Sequence, residues 1–116
     1  MTHERLEAAA RAEVELALAE LPPSIRETAE KAQITFERKP DADDIASGIE
    51  SDALGLYDEG PPEISLPRIR LWLDNIREYS RETGNGFREE IRITLLHEIG
   101  HLLGWEEDDL EERDLD

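Results

Sequence analysis

The stretch Phe87 to Gly104, FREEIRITLLHEIGHLLG, decides how the rest of this 116-residue chain is read. An α-helix advances about 100° per residue, so residues three and four apart share a face. Phe87, Ile91, Leu95, Ile99 and Leu102 recur at that spacing and form a core-facing stripe. His97 and His101, with Glu90 and Thr94, project roughly 140° away from the stripe, which separates the two imidazoles from the apolar core. One turn apart on one face, they can hold a single metal ion. Glu98 is offset from the pair, where its carboxylate can reach a water on that ion rather than the ion itself. Glu89 and Glu90 suit the first turn of a helix, Asn85 is the expected N-cap for a helix starting at Gly86, and Gly104 is a natural stop.

Two histidines four apart are, by themselves, ordinary polar surface on many helices. A zinc ion in a hydrolase takes three protein ligands and keeps a fourth position for water, so a third donor is needed. A left-handed Gly104 would turn the chain back toward the histidine face. There Trp105 is followed by the acidic run Glu106, Glu107, Asp108, Asp109.

HExxHxxG with an acidic residue three positions after the glycine resembles the motif of the short bacterial zincin-like metallopeptidases, the minimal zincins. In that family the acidic ligand is usually Asp, and the matching position here is Glu107. The resemblance therefore implies His97, His101 and Glu107 as zinc ligands and Glu98 as general base. The extra methylene of Glu leaves Asp108, on a slightly different turn, as the alternative ligand. The metzincin pattern would need a third histidine and a methionine turn, and the only methionine is Met1.

The likeness continues upstream through ITFERKP (Ile34 to Pro40), LGLYDEGPP (Leu54 to Pro62) and PRIRLWLDNIRE (Pro67 to Glu78), in the family's order, and covers roughly residues 20 to 113. It implies zinc-dependent hydrolysis of peptide bonds, with an edge strand over the metal helix that pairs with extended substrate. The competing expectation is an acidic protein-interaction module that keeps a zincin scaffold without turnover.

Length implies one domain over residues 1–116, with a modest core and a shallow groove rather than a deep two-lobed cleft. Within it, 1–21 reads as an N-terminal helix and 97–107 as the metal-binding motif. A net charge of −17 repels phosphate backbones and anionic membranes, which argues against nucleic acid and membrane partners and leaves a peptide or protein substrate. The absence of cysteine excludes a disulfide framework and a Cys-type zinc site. The N-terminus lacks both a basic start and an uninterrupted apolar run, so the expected setting is cytoplasmic.

Leu6, Ala10, Val14, Leu18 and Leu21 share a helical face that Pro22 and Pro23 end; this helix packs on the rest of the chain or on a second copy, which allows a homodimer. Ser24 and Glu27 have capping-box spacing for a helix over 25–33. Period-two alternation marks Ile34 to Glu37 and Arg68 to Leu73 as half-buried strands, with a short strand over 54–57. Residues 40–52, PDADDIASGIESD, read as a solvated acidic loop, since Asp41, Asp43 and Asp44 lack EF-hand spacing. Asp74 is the expected cap of a helix reaching Thr83. Tyr57 reads as an aromatic packed over the sheet rather than as an oxyanion donor. The expected fold is α+β and zincin-like: a small mixed sheet of three or four strands, packed with N-terminal helices and a C-terminal HExxH helix.

Overall fold

The computed structural model describes residues 2–60, 63 and 66–104. In chain order the elements are α1 (His3–Glu20), α2 (Pro23–Ala29), β1 (Gln33–Glu37), α3 (Ala42–Ala46), β2 (Gly55–Asp58), β3 (Arg68–Trp72), α4 (Leu73–Thr83) and α5 (Phe87–Leu102). The fold is α+β with a mixed three-stranded sheet in the order β1-β3-β2. β1 runs parallel to β3, setting Ile34 beside Ile69 and Phe36 beside Leu71. β2 runs antiparallel to β3, setting Gly55 beside Leu71 and Tyr57 beside Ile69.

The alternation of β3 sorts its side chains between two covered faces. Ile69 and Leu71 join the main core with Ile76 of α4, Ile91, Leu95 and Ile99 of α5, and Leu6, Ala10, Val14 and Ala17 of α1. Arg70 and Trp72, expected on a solvent face, are buried on the other side. Arg70 survives there because two carboxylates pair with it: its guanidinium donates to Glu37 at 2.7 and 2.8 Å and to Asp44 at 2.8 Å twice, and it stacks 4.8 Å over the Trp72 ring. That pairing corrects the reading of 40–52 as solvated loop. Asp41 and Asp44 close a capping box at the start of α3, and Asp44 is buried against Arg70.

Three expected caps are also corrected. Gly86, not Asn85, is the N-cap of α5; the Asn85 side-chain amide instead donates to Glu90 at 2.8 Å. Trp72 precedes α4, so Asp74 sits inside its first turn, where it favours the helix dipole and accepts from Arg38 at 3.3 Å. α2 begins at Pro23 after Pro22 without a side-chain cap, as the preset proline φ allows, and it ends at Ala29, short of the expected 33.

α5 is the centre of the packing, touching α1, α4, β2 and β3. α1 is fixed to it by charge as well as by core contacts. Glu13 accepts from Arg88 at 3.0 Å and from Arg92 at 3.2 Å, and Arg92 also pairs with Glu20. No helix among the described residues is long and apolar enough to cross a membrane.

Candidate metal centre

The predicted stripe of α5 faces the core: Ile91, Leu95 and Ile99 are fully buried, with Phe87 and Leu102 packed at the margins. The opposite face carries His97 and His101, both half-buried. It does not stand clear of the protein, because Glu90, Thr94 and Glu98 on it are buried beneath β2 and the loop that precedes β2. α5 is thus covered on two sides, by the core elements and by β2.

The two imidazoles converge through their Nε2 atoms, 3.1 Å apart, with the rings nearly perpendicular at 81° and their centroids 4.7 Å apart. Two zinc–nitrogen bonds of about 2.05 Å at a tetrahedral angle would set the nitrogens roughly 3.3 Å apart. The observed spacing is within a few tenths of that value, so zinc is an ion this donor pair fits. One ligand atom from each of His97, Glu98 and His101 lies within 4.8 Å of the others, which places the Glu98 carboxylate beside the same point. Gly104 has φ +80°, and its N–H donates to the His101 carbonyl at 2.9 Å, so the helix ends in the left-handed turn its sequence implies. Glu107 and Asp108, the alternative third ligands, lie outside the described residues.

β2 brings the rest of the site together. Glu98 and Gly55 line two adjoining cavities, one on each side. Towards the start of α5, a cavity of about 410 Å³ is also lined by Leu54, Tyr79, Ile93 and His97. Towards its end, one of about 530 Å³ is also lined by Leu56, Tyr57 and His101. The result is a shallow groove along an edge strand, with the carboxylate at its middle. Tyr57 packs against the core as expected, and its hydroxyl donates to Glu59 at 3.4 Å. Burial, then the Glu59 charge, raises its pKa, so the phenol keeps its proton at neutral pH.

Two positions that set this geometry went unread in the sequence. A Cβ on Gly55 would stand 2.8 Å from Thr94 Cγ2 and 3.1 Å from the Arg70 carbonyl oxygen, so only glycine lets β2 approach α5 this closely. Glycine opening a strand was the available signal for a close approach. Asn75, buried on α4, donates from Nδ2 to the carbonyls of Ser51 and Ala53 at 2.8 and 2.9 Å, which fixes the loop leading into β2. Nothing local to Asn75 reveals a partner more than twenty residues earlier.

Comparison with known proteins follows the same residues. The profile of the family described as zincin-like metallopeptidases matches residues 29–116. An endoribonuclease YbeY from Synechococcus sp. (strain CC9605) is 33% identical over 75 residues, covering 65% of this chain. The match spans 45% of that protein, less than half its length. No solved structure matches the chain significantly.

Proposed function

Because this chain belongs to the zincin-like metallopeptidase family, we propose that it hydrolyses peptide bonds in extended segments of peptide or protein, using zinc held by His97, His101 and Glu107 or Asp108. The observation that carries the proposal is the convergence of the two Nε2 atoms at 3.1 Å beside a buried Glu98, in a groove edged by β2. Zinc, when bound, acidifies a water and polarises the substrate carbonyl. Glu98 takes the proton of the attacking water and returns it to the leaving amine, a role supported by its lining both cavities. The outer edge of β2 offers main-chain groups to an extended backbone, which orients the scissile bond across Glu98. Leu54, Tyr79 and Ile93 offer an apolar side chain a place beside His97. The cysteine-free composition agrees with a cytoplasmic setting.

A second reading, hydrolysis of RNA, is favoured by the likeness to an endoribonuclease. The charge of −17 opposes a polyphosphate and favours cationic or neutral peptides, which is why peptide hydrolysis is preferred. The test is to incubate the zinc-loaded protein and its Glu98→Gln variant with a mixed peptide library and, separately, with a single-stranded RNA pool. Cleavage of peptides lost in Glu98→Gln is the expected result. Cleavage of RNA lost in that variant would transfer the assignment to the second reading. Stoichiometric zinc without either activity would leave a non-catalytic interaction module.

A further inference from the structure

On the far side of α4 from the groove lies a cavity of about 240 Å³ whose lining departs from the character of the whole chain. The protein carries 30 acidic and 13 basic residues, yet Arg38, Lys39, Arg77 and Arg81 meet here against only Asp74 and Glu78. The wall is therefore two charges more positive than negative in a strongly acidic molecule. The Asp74 N–H donates to the Arg38 carbonyl at 3.1 Å, pinning the end of β1 to the start of α4, and Arg77 and Arg81 stand one turn apart on α4. His3 and Leu6, from the first turns of α1, close the cavity.

One further feature points to an anion. His3 opens α1, so the positive end of an 18-residue helix lies at the cavity wall. His3 is partly exposed at the cavity rim, with its Nε2 3.8 Å from Glu7. Arginine forks match the oxygens of phosphate better than a single point charge would, and a surplus of two positive charges matches a dianion.

We propose that this cavity is a binding site for the dianionic phosphate group of a small phosphomonoester, independent of the metal centre. Its volume of about 240 Å³ admits the phosphate group together with a small ester moiety, and the acidic surface beyond it disfavours a polyanionic chain. His3 and Leu6 lie outside the stretch that matches the family profile, so the site joins α1 to the family's own part of the fold.

The test is titration of the protein with inorganic phosphate, with phenyl phosphate and with single-stranded RNA, read by calorimetry and by backbone amide shifts. Saturable binding of phosphate or its ester is expected, with shifts at His3, Arg38, Lys39, Arg77 and Arg81. Binding of phenyl phosphate tighter than phosphate would identify the ester, and equal binding the free ion, as the source. Affinity should fall at least tenfold in Arg77→Gln/Arg81→Gln, fall severalfold in the milder Lys39→Gln, and be unchanged in His97→Ala. No saturable binding, equal binding by all the cation variants, loss in His97→Ala, or RNA bound more tightly than phenyl phosphate would each overturn the proposal.

Discussion

Replacing Gly55 with alanine puts a methyl group where β2 and α5 leave no room. The added carbon would sit 2.8 Å from Thr94 Cγ2 and 3.1 Å from the Arg70 carbonyl oxygen. Carbon–carbon contacts relax at about 3.5–4.0 Å, so β2 must retreat from α5 by roughly 0.7–1.2 Å. Over-packing of this kind destabilises by about 1–3 kcal/mol. The same retreat widens the groove at Glu98, and a displacement of about 1 Å in a positioned substrate lowers turnover about a hundredfold. Zinc content should not change, because both imidazoles stand on α5. Thr94→Ser removes the clashing Cγ2 at a cost of about 0.8 kcal/mol for the lost methyl. In Gly55→Ala/Thr94→Ser it should restore part of the stability and turnover, the Arg70 carbonyl contact keeping recovery incomplete. Urea unfolding of the four proteins in the cycle measures this coupling, expected at about 1 kcal/mol or more in favour of the double variant. A Gly55→Ala protein within about 0.5 kcal/mol of wild type, or strictly additive effects, would refute the close approach as the reason for glycine.

Arg70→Met should destabilise by about 3 kcal/mol in urea, since it leaves Glu37 and Asp44 facing each other without their shared cation. Hydrogen bonds from Arg70, then from the Asp41 backbone, hold the Asp44 carboxyl down at about 2 against its ordinary 3.8, and Arg70 likewise lowers Glu37. Because the folded pKa lies below the unfolded one, this contribution is present above pH 4 and is lost as pH falls to about 2. Acid titration should therefore show wild-type stability falling through that window, and the fall should be smaller in Arg70→Met. Asn75→Ala should cost about 1–2 kcal/mol, by removing both donors from the loop before β2, and should raise amide exchange at residues 51–55.

The parts of the fold written in local pattern were legible in the sequence. The apolar spacing of Phe87 to Leu102 gave the metal helix, and the alternation around Ile34 and Ile69 gave two strands near their observed bounds. The positions misread are those whose side-chain partners no local pattern shows. Asp44 looks solvated until Arg70, twenty-six residues on, is placed against it. Asn85 looks like a cap until its amide finds Glu90. The sheet order β1-β3-β2 depends on a crossover that no local pattern encodes, and that order makes β2 the edge beside the histidines. At the site, helical periodicity alone brings His97, Glu98 and His101 together, whereas the groove they face is built by Gly55 and Asn75, whose roles are purely tertiary.

The most direct measurement is the zinc content of the purified protein by elemental analysis, for wild type and for His97→Ala and His101→Ala, each shown to be folded by circular dichroism. One zinc per wild-type chain, with near-complete loss in either variant, is the expected result. A folded wild type that takes up no zinc, or variants that keep a full equivalent, would contradict the metal centre on which the proposed hydrolysis depends.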